Sequence, residues 1–492
     1  MRFQYVPLAA GFAMRKPVRA MRSASFGRNR KLVTVLSVLA ISAGLSACTV
    51  NPQMEAPTAR ASSAAISMPL NDPSTGLSLP ALPRESILGN SLMARDFMEL
   101  GFQLESGRPL ARFTRFEGPI TISLAGPAPG QAGQDLSQLV SRLRNEAGIA
   151  ISTGTGAGNH ITVEFVPKRQ LRAAVPNVAC FVVPNVSSFA EYKAERRSGL
   201  TDWTRVTQRR TAAVFVPAQA APQEIRDCLH EEVSQALGPL NDSYRLPDTV
   251  WNDDNFNSVL TRHDMTILRA WYDPALQSGM SQPEVLSALP GVLSRVNPAG
   301  GSVTRLIEDK TPNSFTNAVS RAMSAGSTRS RQSAAQQAIQ IAAAQGWTDS
   351  RAGFANFIMG RLTLNSDPST ALRSFLKAAE YYSATPGAYM QSAHVDMQLA
   401  TFALASGRSD QALSLTQRAL RPALRTKDAA LMSTLYMIRA EAFGQQGNQG
   451  QAAQARVDSQ NWARYGFGSD TVAQSRAAEV AALARAGSRR LN

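Results

Sequence analysis

The hydrophobic period of this chain changes near Gly300, and no single fold class accommodates both halves. Before that point, β-branched or alternating runs such as Ile120-Thr121-Ile122 and Ile161-Thr162-Val163-Glu164-Phe165 alternate with stretches of helical spacing at residues 92–100 and 136–147. Beyond it the strand signals stop, and Ala, Gln, Leu and Arg recur with a period near 3.6 residues. The expectation is a mixed α+β domain over residues 85–300, followed by an all-α region. A linker is expected at 301–332, the all-α domain proper at 333–468, and a helical tail at 469–492. A first domain of roughly 200 residues is large enough to bury its own core.

The all-α half repeats. Gly407 stands five residues before Ala412 and Gly447 five before Ala452, 40 residues further on, with a weaker copy in which residues 362–371 precede Phe375 and Ala378. Each unit reads as a helix, a glycine-containing turn and an Ala-rich helix. This resembles a degenerate tetratricopeptide array, although the period exceeds the usual ~34 residues of that repeat. The alternative is an irregular helical bundle. The resemblance implies a protein partner at the helical repeats, because stacked helix pairs present a concave surface.

The first 47 residues carry eight basic side chains and no acidic one, then an apolar run at residues 32–45. That is the build of a signal peptide, and the apolar run is short for a spanning helix. It ends in Leu45-Ser46-Ala47-Cys48, which resembles the bacterial lipobox. The resemblance implies cleavage before Cys48, lipid on that cysteine, and a tether over residues 48–84, rich in Pro, Ser and Ala. Thr49, rather than an aspartate, follows the cysteine, which favours the periplasmic face of the outer membrane. Removing the eight signal-peptide charges from the formal net charge of +15 leaves +7 on the mature chain. That remainder is dispersed, with no basic stripe interleaved with aromatics, so nucleic acid is not an expected partner.

With Cys48 assigned to lipid, Cys180 and Cys228 remain, and in an oxidising compartment two such cysteines are expected to form a disulfide, the alternative being two buried thiols. Cys228 belongs to a helical stretch starting at Pro222 that contains His230-Glu231-Glu232-Val233-Ser234-Gln235-Ala236-Leu237-Gly238-Pro239-Leu240-Asn241. A zinc-protease helix needs histidines at i and i+4 so that both imidazoles reach one ion. From His230 that position is Ser234, which cannot replace the ligand.

One residue later the spacing fits. Glu231, Glu232, Gln235, Gly238 and Asn241 fall on the five fixed positions of the metzincin pattern His-Glu-x-x-His-x-x-Gly-x-x-His. Pro247-Asp248-Thr249-Val250-Trp251 stands where that family has a methionine-containing turn, and residues 260–272 stand where it has its C-terminal helix. The whole stretch resembles the proteobacterial family known as domain of unknown function 2927. The resemblance covers about 200 residues and implies a zincin-like fold without an established activity. On it, Glu232 takes the general-base position, Glu231, Gln235 and Asn241 the ligand positions, and Gly238 the turn.

One carboxylate and two amide oxygens are poor donors for zinc, and too few for calcium or magnesium, so no metal and no cofactor is expected. His160, His230 and His263 offer a remote alternative for a metal, and Gly154-Thr155-Gly156-Ala157-Gly158 reads as a loop because it precedes a strand. Two functions follow as expectations. The first is a non-catalytic envelope binding or scaffold protein; the second is a hydrolase of peptide or cell-wall substrates that depends on Glu232.

Overall fold

The structure is a computed structural model that describes residues 83, 88–156, 158–176, 178–304 and 309–491. The stretches expected as signal peptide, lipidated Cys48 and tether, apart from Pro83, lie outside the described residues. Among the described residues no helix is long and apolar enough to cross a membrane.

The first half runs α1 (Asn90–Gly101), β1 (Ile120–Ala125), α2 (Gly130–Ala147), β2 (Ile151–Thr153), β3 (Asn159–Val166), α3 (Lys168–Ala174), β4 (Phe181–Pro184), α4 (Phe189–Glu195), β5 (Thr211–Pro217), α5 (Pro222–Leu237), α6 (Arg262–Trp271) and α7 (Gln282–Val296). The strands form one sheet in the order β2-β1-β3-β5-β4. Val163 pairs with Leu124 on one side and Val214 on the other, all parallel, while β4 runs antiparallel with Val183 opposite Ala213. The expected α+β arrangement therefore gives way to α/β. Parallel neighbours need crossover connections, and the intervening helices supply them.

β5 shows why the sheet is covered on both faces. Its alternate residues Ala212, Val214 and Val216 enter the core shared with α1, α2, α5, α6 and α7. Ala213 and Phe215 point the other way, into a smaller core where Phe215 meets Phe181, Phe189 and Tyr192 at ring-centroid distances of 5.2 to 5.6 Å. A disulfide joins Cys180, just before β4, to Cys228 on α5, as the cysteine arithmetic anticipates.

The second half is all-α: α8 (Asn313–Met323), α9 (Thr328–Ala344), α10 (Ser350–Thr363), α11 (Pro368–Ala384), α12 (Tyr389–Ala405), α13 (Ser409–Thr426), α14 (Ala429–Gln445), α15 (Gln449–Phe467) and α16 (Asp470–Leu491). Consecutive helices pack as pairs. Gly353 and Gly360 on α10 make one close approach possible, since a Cβ at either would stand 2.6 or 2.8 Å from the ring of Tyr382 or Phe375 on α11. Gly407 and Gly447 sit at φ 73° and 75° in the turns between α12 and α13 and between α14 and α15, inside the two copies of the 40-residue unit. The stretch read as a linker at 301–332 holds α8 and the start of α9, and Phe315 and Val319 of α8 are core residues of the helical half.

The two halves keep separate cores, but one loop of the first is built into the second. Residues 242–256, between α5 and α6, reach into the helical half, whose core includes Tyr244 and Phe256. The Phe256 ring lies 5.9 Å from Phe354, 5.0 Å from Phe357 and 4.7 Å from the His394 ring. Ser350 donates to the carbonyls of Tyr244 and Arg245, and Gln391 to Pro247 O and Asp254 Oδ2. On the far side, Gln223 of α5 donates to Asp428, and Tyr465 of α15 to Asp135 of α2.

Candidate functional site

α5 is the helix on which the sequence places its chemistry. Pro222 opens it, where a missing N–H costs nothing, and from Ile225 to Leu237 every residue is buried. Its C-terminus is held by Arg209, which donates to the carbonyls of Gln235 and Ala236 at 2.7 and 2.8 Å and to that of Gly238. A cation there answers the negative end of the helix dipole. Burial without a carboxylate neighbour lowers the Arg209 pKa to about 10. Gly238 has φ −161°, open to any residue, so its role differs from a left-handed turn. A Cβ at Gly238 would stand 3.0 Å from the Trp271 indole, so glycine lets the ring pack close to the end of α5.

Glu231 and Gln235 come together with carboxylates that the metzincin spacing does not mark. The Gln235 amide donates to Asp242 Oδ1 at 3.3 Å and, at the long limit of 3.5 Å, to Glu105 Oε1. Burial first, then the charges of Asp253 and Glu231, push the Glu105 pKa well up. Asp242 is raised in the same way, by burial and by Glu105, Asp253, Glu231 and Glu232. Asp253 rises to about 6 through burial, tempered by hydrogen bonds with Tyr244 and Asp242. Like charges so close in a dry setting cannot all ionise, so the cluster holds protons at neutral pH.

Asn241 goes elsewhere. Its amide donates to the Glu99 carbonyl of α1 at 3.1 Å. Amide N–H groups of Gln235 and Asn241 are thus engaged as donors, and one carboxylate with two amides remains a donor set that zinc does not favour; the residues do not fit a zinc site. Among the described residues no group of three or more His, Cys, Asp or Glu side chains has the geometry to hold a metal ion. The three histidines weighed as an alternative have separate partners: His160 binds Thr121 and Ser123 on the sheet, His230 accepts from Leu260 N, and His263 lies 3.3 Å from Asp96.

His263 belongs to an ion cluster that sequence reasoning did not reach. Burial opposes charge on Asp96, but Arg245, His263 and Arg95 outweigh it and hold its pKa at about 2. Burial likewise works against the His263 cation, and Asp264 and Asp96 reverse that, raising it to about 10. Arg245 also pairs with Glu99. No spacing rule marks Asp96 and Arg245, which lie 149 residues apart in the chain.

This ion cluster borders a cleft of about 1110 Å³ whose walls come from both halves, with α1, α2, α5 and the start of α6 on one side and the start of α12, the end of α13 and α15 on the other. The face of α5 carrying Arg226 and His230 lines it. Glu231, Glu232 and Gln235 do not.

Residues 90–291 match the model of a protein family described as protein of unknown function (DUF2927). No curated protein and no solved structure matches the chain. The α/β half, from the first turn of α1 to the middle of α7, is thus a DUF2927 domain, and it is followed by a helical region built from paired helices.

Proposed function

We propose that this chain is a lipid-anchored envelope protein, held through Cys48 at the periplasmic side of the outer membrane, which binds a ligand and does not catalyse. In this reading the DUF2927 domain is zincin-like in layout, with its catalytic positions turned to structural use. The helical half is a tetratricopeptide-like interaction module, and the cleft between them is the binding site. The observation that carries the reading is the burial of α5: Glu232 is 1 % exposed and, with Glu231 and Gln235, lies away from the cleft. A general base must reach substrate directly or through one water. A cleft of this size walled by two units is where ligands ordinarily bind.

The second reading, a Glu232-dependent hydrolase of peptide or cell-wall substrates, has one observation in its favour. Asp242 and Glu105 keep their protons above the usual carboxylate range, which is what a general acid needs. Two variants separate the readings in a deletion strain. Under the binding reading Glu232→Gln restores the strain fully, while Val259→Trp, which puts a bulky ring into the cleft, folds and fails to restore it. The reverse pattern would make the protein an enzyme.

A further inference from the structure

The cleft carries an excess of positive charge. Seven arginine and lysine side chains line the cleft against five aspartates. The aspartates are already engaged: Asp96 by Arg245 and His263, Asp309 and Asp349 by Arg351, which is not a cleft residue, and Asp135 by Gln131 and Tyr465, while Asp248 also has a partner. Arg262 and Lys427 are exposed and have no carboxylate within salt-bridge distance among the described residues. The positive excess of the cleft therefore rests on side chains that have no carboxylate partner among the described residues.

The same cleft is lined by a histidine with a free donor. His230 accepts the Leu260 N–H at Nδ1, 3.1 Å away, so its proton sits on Nε2, which makes no hydrogen bond among the described residues. Arg226, one turn earlier on α5, is fixed by Ser258 and by the Lys427 carbonyl, and Arg262 follows Leu260 by two residues. Lys427 itself caps α13 at φ 51°, ψ 41°, a left-handed position where glycine or asparagine is the usual residue. A lysine is strained there, and what it adds is a cation at the cleft. Leu92, Leu139, Leu246, Val259 and Met390 line the same space, so it also offers apolar surface.

We propose that the cleft binds an amphipathic anion, a carboxylate or phosphate on an apolar body, with its acid group at His230 Nε2, Arg262 and Lys427. This rests on the reading of the cleft as the binding site. A charge-assisted contact to each cation, in a cleft already short of counter-charge, gives an acid ligand an advantage that a neutral one of equal shape does not have.

Calorimetric titration of the purified full chain with octanoate, octyl phosphate, octanol and octylammonium tests this. The expected result is that one or both anions bind at least about tenfold more tightly than octanol and octylammonium, and that Arg262→Gln with Lys427→Gln removes the advantage. Which anion is preferred distinguishes a carboxylate from a phosphate source. Equal or tighter binding of octanol or octylammonium, failure of both anions to bind, or anion binding untouched by the double variant overturns the proposal. If Val259→Trp blocks every probe while the double variant changes nothing, the cleft stands as the binding site and the anion assignment falls.

Discussion

Trp251 donates its indole N–H to Ser234 Oγ across 2.9 Å, and Ser234 in turn donates to the Glu231 carbonyl at 2.8 Å. Ser234 is the residue that stands where a second zinc-binding histidine would follow His230, and it faces the turn beneath α5 rather than any ion. Trp251, completely buried, stands where the resemblance to metzincins led one to expect a methionine, and its hydrogen bond ties the loop to the helix. Trp251→Phe keeps most of the apolar area and loses the hydrogen bond, for an expected cost of about 1–2 kcal/mol; Trp251→Ala adds a cavity and should cost about 3–5 kcal/mol. Denaturant unfolding of the two variants checks the difference.

Arg209 holds three carbonyls at the end of α5 and also binds Thr114. Lysine in its place brings one point of charge where a planar fork is needed, and leucine leaves buried acceptors unpaired. Arg209→Leu is expected to destabilise by roughly 3 kcal/mol or more, with Arg209→Lys recovering part of that. A thermal melt that leaves Arg209→Leu within a degree of the parent protein contradicts the assignment.

Stability should depend on pH through Asp254, where the loop meets Gln391. Burial raises its pKa to about 7, against a hydrogen bond from Gln391. The unfolded chain loses this proton near its ordinary value, 3.8, while the folded protein keeps it to about 7. This contribution is therefore present at low pH and is lost between about pH 4 and 7. Asp254→Asn is expected to flatten that slope in a series of melts, leaving the parent more pH-sensitive than the variant.

The Asp96 and His263 pair acts at the two extremes with opposite signs. Asp96, held at about 2, stabilises above its ordinary value and loses that contribution as pH falls through about 2. His263, raised to about 10, stabilises fully below its ordinary 6.5 and loses that as pH climbs through about 10. His263→Gln should remove the alkaline loss and leave the mid-pH slope from Asp254 in place.

The disulfide closes a stretch with a sequence separation of 48 between β4 and α5. Chain-entropy arguments put its worth at about 4 kcal/mol, so Cys180→Ala with Cys228→Ala should lower the melting temperature by several degrees without unfolding the protein.

Much of the architecture could be read from periodicity. The strands at 120–125, 159–166 and 211–217 coincide with β-branched or alternating runs, and the Gly407 and Gly447 turns with the 40-residue spacing. Parallel pairing was less legible, because a run such as that of β5, buried on both faces, does not state which way its neighbours run. The candidate site was legible only along α5, where residues are linked by helical spacing. Glu105, Asp242 and Asp253 join Gln235 and Glu231 through tertiary packing, and three carboxylates from two loops carry no shared spacing to search for. Arg351, nearly inaccessible and paired with Asp309 and Asp349, shows the same limit at the start of the helical half.

The ring of Phe256, seated among Phe354, Phe357 and His394, makes the two halves dependent on each other as they fold. A chain ending near residue 300 would leave Phe256 and Tyr244 facing water, and the helices alone would have an empty socket in their place. Calorimetry should accordingly record one transition for the two architectures, and during synthesis the earlier half stays unfinished until the helices have left the ribosome.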